Sequence, residues 1–205
     1  MSDPGLRRWD ERYSQDGYLF GEQPNGFLAR QKNRLQSRVS ALAVADGEGR
    51  NGVWLAEQGL QVTSLDGSPV AQAKARRLAE QRGVQMTFEL ADLSDWTWPE
   101  RKFDVVAAIF VQFAGPELRA RMFEGMRRAL KPGGLLLLEG YRPEQIAYGT
   151  GGPSAVENLY TEAMLREAFA DLQIMELSAY DAMIEEGAGH SGRSALIDLV
   201  ARKPA

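Results

Sequence analysis

The sequence predicts an α/β fold, a mostly parallel sheet with helices on both faces. From about Leu42 onward, short β-rich runs alternate with amphipathic ones. The run KFDVVAAIFVQF (102–113) is apolar at successive positions, as suits a strand covered on both sides. The last two β-rich runs follow one another without a helical crossover, which makes them antiparallel neighbours.

ALAVAD (41–46) is the first strand; a glycine-rich turn follows, then helix from about Arg50, with Gly59 where a left-handed cap would stop it. QVTSLD (61–66) is the second strand. Its helix opens on Ser68 as N-cap with Pro69 at the first helical position, and closes at Gly83. QMTFEL (85–90) alternates as a third strand, and 102–113 is the fourth. Leu118, Met122, Met126 and Leu130 recur every four residues beside Phe123, a helical stripe that belongs to the core. LKPGG (130–134) predicts a tight turn into LLLLEGY (135–141), the fifth strand. A short helix (Glu162 to Phe169) precedes the closing strands LQIMELSAY (172–180) and RSALIDLVARK (193–203). Residues 1–39 stand outside the alternation: WDERY and NGFLARQKNRL read as helices, a cap on one end of the sheet over a core of residues 40–205.

A chain of 205 residues fits one domain able to bury its own core. Its net charge of -4 repels a polyanion, so nucleic acid is not an expected partner. Without cysteine, and with a single histidine, the chain has no thiol nucleophile and no thiolate metal site, and no metal is expected. No run approaches the ~20 apolar residues of a membrane span, and MSDPGLRRWDERYSQDG lacks the apolar core of a signal peptide. The expectation is a cytoplasmic protein, monomer or homodimer, acting on a small molecule away from membranes.

Gly47, Gly49 and Gly52 spell G-x-G-x-x-G between a strand and a helix, the place of a dinucleotide fingerprint. Asp46 and Glu48 argue against a pyrophosphate there, because like charges near 4 Å cost about 1 to 4 kcal/mol. S-adenosylmethionine brings a sulfonium and an ammonium and no phosphate; its carboxylate suits the helix N-terminus or Arg50. Asp66, ending the second strand, is spaced to accept both hydroxyls of a ribose. Asp92, just past the third, is placed to accept from an adenine amino group, with Asp95 as the alternative. The glycine turn, Asp66, Asp92 and Phe110 all fall at the carboxyl ends of strands, where open α/β sheets bind ligands.

DGEGRNGVWLAEQG, VTSLDGSPVAQAKARRLA, ADLSDW, FDVVAAIFVQF and LKPGGLLLLEGY follow in order the motifs of class I S-adenosylmethionine-dependent methyltransferases, which residues 41–141 resemble. WDERY, YLFGEQPN, YGTGG, LYTEAMLREAF and GHSGRSALIDLVARK most resemble the tellurite-resistance and thiopurine-type branch that methylates small molecules. The resemblance implies a Rossmann-like doubly wound sheet of seven strands ending in an antiparallel hairpin. It implies that Gly47 and Gly49 approach the cofactor's amino-acid part, Asp66 the ribose and Asp92 the adenine. The cofactor-facing set is then Trp9, Tyr18, Asp46, Gly47, Gly49, Arg50, Asn51, Asp66, Gly67, Ser68, Asp92, Leu93 and Phe110. Two positions depart from the pattern. Ala43 replaces the acidic residue usual within the first strand, leaving Asp46 or a backbone carbonyl to hold the ammonium. Ala45 replaces the first glycine of the turn and predicts a negative φ there, since a Cβ makes positive values costly.

Methyl transfer from a sulfonium is an in-line displacement in which proximity supplies up to roughly 7 to 11 kcal/mol. A soft sulfur, selenium or tellurium acceptor needs no base. For an oxygen or nitrogen acceptor, His190, read as an exposed loop residue in EEGAGHSGR, is the side chain with a suitable unperturbed pKa. The same branch has a similarly placed histidine followed by an arginine, here Arg193. Tyr141 and Tyr148 are further acceptor-side candidates, and Trp9, Tyr13, Tyr18 and Phe20 an apolar lid. Two other readings stand beside this one: a non-catalytic binder of S-adenosylmethionine or its demethylated product, and a nicotinamide-dependent oxidoreductase resting on the glycine fingerprint alone.

Overall fold

The computed structural model describes residues 4–37 and 39–205; residues 1–3 and 38 of the expected cap lie outside it. The strands are β1 (Ser40–Val44), β2 (Gln61–Asp66), β3 (Thr87–Leu90), β4 (Phe103–Ile109), β5 (Leu130–Tyr141), β6 (Gln173–Glu186) and β7 (His190–Arg202). They form one sheet of seven strands in the order β3-β2-β1-β4-β5-β7-β6. β1 pairs parallel with β2 and β2 with β3, and β4 pairs parallel with β5, whereas β7 runs antiparallel to β5. The helices are α1 (Pro4–Tyr13), α2 (Gly26–Arg30), α3 (Arg50–Glu57), α4 (Pro69–Gln81), α5 (Pro116–Ala129), α6 (Gln145–Tyr148) and α7 (Glu162–Ala168). None of the described helices is long and apolar enough to cross a membrane.

The described residues divide into two compact units, 4–37 and 39–96 with 186–189, and 97–185 with 190–205. In the first, α3 and α4 close over β1 and β2. Ser68 caps α4 by accepting from the amide of Ala71, with Pro69 at the first position, and Gly59 and Gly83 take left-handed backbones just past the two helices. Val53, Leu78 and Ala79 pack there with Tyr18, Val84, Met86 and Phe88. In the second unit, Met122, Phe123 and Met126 of α5 are buried, as the four-residue recurrence requires, while Leu118 is half-buried.

Three local expectations differ from the structure. LKPGG does not stand apart as a turn, because β5 already begins at Leu130 and absorbs it as a register shift against β4 between Phe103 and Val105, with Gly133 at φ 76°. β4 stops at Ile109, so Phe110 begins the loop. The two closing strands are longer than their apolar cores suggested and are joined by residues 187–189 alone.

Candidate cofactor and acceptor sites

In the first unit, the turn after β1 uses its acidic residues internally. Asp46 is buried; its Oδ2 accepts from the Ser64 hydroxyl at 2.7 Å and its Oδ1 from the Gly52 amide at 3.0 Å. Burial pushes its carboxyl up to about 7, although the bonds from Ser64 and Gly52 pull the other way. Glu48 is buried against Lys74, with 2.8 Å between Oε1 and Nζ, and its Oε2 accepts from the Leu19 amide at 2.7 Å. The two carboxylates therefore do not face a ligand as the bare sequence predicts: Glu48 is neutralised by a lysine, and Asp46 braces the start of α3.

Each glycine of the fingerprint has a packing reason of its own. A Cβ on Gly47 would lie 2.9 Å from the Tyr13 hydroxyl, one on Gly49 2.6 Å from the Ala75 Cβ, and one on Gly52 2.3 Å from Asp46 Oδ2. The expected negative φ at Ala45 is wrong. Its φ is 47°, in the left-handed region that a Cβ disfavours, so the turn keeps the backbone path of a glycine while carrying an alanine.

Asp66 ends β2 and anchors both neighbouring turns. Its Oδ2 accepts from the Gly47 amide and its Oδ1 from the Ser68 amide, each at 2.8 Å. Burial raises its pKa, and these two amide bonds oppose the rise. A carboxylate offers about four lone-pair sites, so acceptor capacity remains on both oxygens for the vicinal hydroxyls of a ribose. Ser68 is occupied by capping α4 and by a 2.5 Å hydrogen bond from its hydroxyl to Asp10 of α1. Leu6 of α1 packs over Gly67. Asp92 lies past β3 with its Oδ1 accepting from the Ser94 amide at 2.8 Å, and Leu93 beside it is buried.

The cap joins this turn through α1 and the segment after it. Trp9, Tyr13 and Phe20 cluster, with Trp9 stacked on Tyr13 at 5.5 Å and the Arg12 guanidinium 4.5 Å from the Trp9 ring. Burial first, then the nearby Asp66 and Glu48 charges, push the Tyr13 hydroxyl well above the usual tyrosine range. Tyr18 stands apart from that trio. It packs with Val53, Leu78 and Ala79, and its hydroxyl donates to the Lys74 carbonyl at 3.3 Å. The first helical residues, Arg50 and Asn51, are both buried, and Asn51 Oδ1 accepts from the Asn25 amide at 2.9 Å.

In the second unit, three rings meet at strand ends. Tyr141 Oη lies 2.6 Å from His190 Nδ1, and the Phe110 ring stacks on Tyr141 at 4.6 Å and on His190 at 4.2 Å. His190 is no exposed loop residue; it opens β7 and is 7% exposed. Phe110 has φ 55°, an outlier for a bulky residue, and its amide donates to the Glu139 carbonyl at 2.8 Å. Arg193 is not brought to His190's partners. It is exposed, 3.1 Å from Asp181, with its guanidinium 4.6 Å from the Tyr148 ring centre, and the Tyr148 hydroxyl donates to Asp181 at 2.6 Å. That hydroxyl and Arg193 hold the Asp181 carboxyl below its usual range. No group of three or more acidic or histidine side chains among the described residues is placed to hold a metal ion.

Residues 41–134, which span the glycine turn, Asp66, Asp92 and Phe110, match the family described as a methyltransferase domain. Over that stretch the chain is similar to methyltransferase domains. It is 29% identical over 139 residues to glycine/sarcosine N-methyltransferase of Halorhodospira halochloris, a stretch covering 64% of this chain and 47% of that protein. The chain thus matches about half the length of that relative. Among solved structures, the N-methyltransferase NodS from Bradyrhizobium japonicum WM9, in complex with S-adenosyl-L-homocysteine, aligns with a TM-score of 0.75 at 16% identity, covering 99% of this chain and all of that one. TehB from Haemophilus influenzae aligns with a TM-score of 0.72 at 18% identity, over 97% of this chain and 67% of its own. At these identities the likeness is one of fold.

Two residues that shape the candidate sites carry little signal in the sequence. Lys74 had only the signal of a lysine inside an amphipathic helix; its three donors reach the carbonyls of Gln15 and Gly17, each at 2.7 Å, and Glu48. Gln112 is buried and clamps Tyr141 at both backbone groups: its Oε1 accepts from the Tyr141 amide at 2.6 Å and its Nε2 donates to the Tyr141 carbonyl at 2.9 Å. A glutamine inside FVQF was the visible trace of that role.

Proposed function

We propose that this chain transfers the methyl group of S-adenosylmethionine to a small-molecule acceptor in the cytoplasm. The observation that carries the reading is Asp66, fixed at the tip of β2 by the amides of Gly47 and Ser68 with lone pairs left for a ribose diol. The methyltransferase-domain match over residues 41–134 supports it, as does the likeness to a fold crystallised with S-adenosyl-L-homocysteine. Bound there, the cofactor supplies an electrophilic methyl carbon on a sulfonium. Asp66 accepts from the ribose and Asp92 from the adenine amino group, with the Leu93 backbone beside it. Gly47, Gly49, Arg50 and Asn51 face the amino-acid part, and α1 with Trp9 and Tyr13 keeps water from it.

His190 and Tyr141 serve the acceptor. In the tautomer whose Nδ1–H donates to Tyr141 Oη across the 2.6 Å contact, His190 Nε2 is free to accept the acceptor's proton, and this is the tautomer the step requires. Phe110, stacked on both, keeps that pair dry, and Gln112 fixes the backbone of Tyr141. A buried base favours an acceptor that loses a proton, so amines and hydroxyl compounds are the first to test and soft sulfur, selenium and tellurium nucleophiles the next. Arg193, exposed and paired with Asp181, takes no part in this step.

The test is incubation with methyl-labelled S-adenosylmethionine and a panel of amines, phenols, thiols, selenite and tellurite. Labelled product from at least one acceptor is expected. Tight cofactor binding with no product from any acceptor would overturn the catalytic reading.

A further inference from the structure

The loop between β6 and β7 closes a ring of polar side chains around the start of α3. Arg50 Nη2 donates to Glu186 Oε2 at 2.6 Å, and the two side chains are 7% and 13% exposed. Glu186 Oε1 accepts from the Gly26 amide at 2.9 Å and from Asn25 Nδ2 at 3.1 Å. Asn25 caps α2 by accepting from the Leu28 amide at 3.0 Å, and its own amide donates to Asn51, next to Arg50 in the chain. Glu186 is held in place by its loop. A Cβ on Gly187 would come 2.5 Å from the Gly21 amide nitrogen, one on Gly189 2.2 Å from the Phe20 ring, and the Gly189 amide donates to the Leu19 carbonyl at 3.0 Å.

Arg50 Nη1 is left over. It is buried and has no hydrogen-bond acceptor among the described residues. A buried guanidinium N–H without an acceptor is costly. One arm of this fork is neutralised by a fixed carboxylate. The other arm belongs to the first residue of an eight-residue helix, whose leading amides have no intrahelical acceptor and carry partial positive charge. Planar bidentate geometry of this kind recognises a second carboxylate.

We propose that Glu186 is a positioning residue that holds Arg50 so that Nη1 and the first amides of α3 grip a ligand carboxylate. This rests on the cofactor reading above, since one source of that carboxylate is the amino-acid tail of S-adenosylmethionine. A carboxylate on the acceptor has the same chemistry.

The test compares wild type, Arg50→Met, Glu186→Gln and Glu186→Asp by calorimetry. The ligands are S-adenosylhomocysteine, 5′-methylthioadenosine, which lacks the amino-acid tail, and sodium acetate, added to free and to S-adenosylhomocysteine-loaded protein. Arg50→Met and Glu186→Gln are expected to weaken S-adenosylhomocysteine at least tenfold while leaving methylthioadenosine within twofold, and Glu186→Asp to recover part of the loss. Equal losses for both nucleosides would reduce the ring to a structural role and overturn the proposal. Unchanged S-adenosylhomocysteine affinity, with acetate bound to the loaded protein only while Arg50 is intact, supports the site and assigns it to the acceptor. Unchanged affinity with no Arg50-dependent acetate binding overturns it. Should wild type bind neither nucleoside, the cofactor reading falls, and acetate on the free protein decides the carboxylate site separately.

Discussion

The turn after β1 and the ring cluster of Phe110, Tyr141 and His190 both sit at strand ends, yet they are held by opposite means. In the turn, acidic side chains point back into the protein: Asp46 to Ser64 and the Gly52 amide, Glu48 to Lys74, Asp66 to the Gly47 and Ser68 amides. At the cluster, aromatic faces do the holding and one hydrogen bond joins the polar atoms of Tyr141 and His190. Charge in the first region builds a backbone cradle, with Asp66 at the strand tip the acceptor proposed for a ribose. In the second, the polar groups are few and their tautomer carries the chemistry. The comparison predicts that substitutions in the turn act on binding and stability, and those in the cluster on turnover.

The largest effect is expected at His190. His190→Ala should lower kcat for an amine or hydroxyl acceptor by about 10²- to 10⁴-fold, with S-adenosylhomocysteine affinity unchanged in calorimetry. Turnover of a thiol acceptor should be far less affected. A parallel loss of cofactor affinity would erase the division of labour between the two regions.

Next comes the pH dependence of stability through Asp46. Its pKa of about 7 in the folded chain exceeds the 3.8 of an exposed carboxyl. Between these values the folded state holds a proton that the unfolded state has released, so stability falls as pH rises from about 4 to 7 and then levels off. The size is roughly 2 to 4 kcal/mol. Denaturant unfolding at pH 5 and pH 8 should show the fall in wild type and its loss in Asp46→Asn, which stays neutral throughout. A stability that rises over this range, with the same slope in the variant, would mean Asp46 is charged in the fold.

Asp66→Asn should weaken cofactor affinity by about 2 to 3 kcal/mol, the scale of hydrogen bonds to a charged group. It should also lower the unfolding midpoint, because Asp66 anchors two turns as well as a ribose. A stability loss with no change in affinity would leave Asp66 as an anchor alone. The smallest effect belongs to Ala45→Gly, which relieves the positive φ and should stabilise by up to about 1 kcal/mol in thermal unfolding. A destabilised variant would show that the alanine methyl packs better than its backbone strain costs.

The order of elements was readable because strands and helices each carry a period, and the two closing strands lacked any crossover run. Asp66 was readable because a strand tip plus a helix cap fixes where a carboxylate sits. Ala45 was misread because side-chain sterics alone were weighed, while the turn that places Gly47 and Asp46 overrides them. His190 looked exposed because the glycines around it resemble a loop, and its burial depends on Phe110 and Tyr141, distant in sequence. Lys74 and Glu186 were invisible for the same reason: their partners, backbone groups of residues 15–26 and the side chains of Glu48, Asn25 and Arg50, are distant in sequence and no periodicity announces them. Long-range polar contacts are where the sequence falls silent.

The most direct test of the central claim, that the turn and Asp66 hold an S-adenosyl cofactor, is calorimetric titration of the wild-type chain with S-adenosylhomocysteine and, in parallel, with NADH. The account predicts saturable binding of S-adenosylhomocysteine, weakened about a hundredfold in Asp66→Asn, and none of NADH. Binding of NADH alone, or S-adenosylhomocysteine binding indifferent to Asp66, would contradict it.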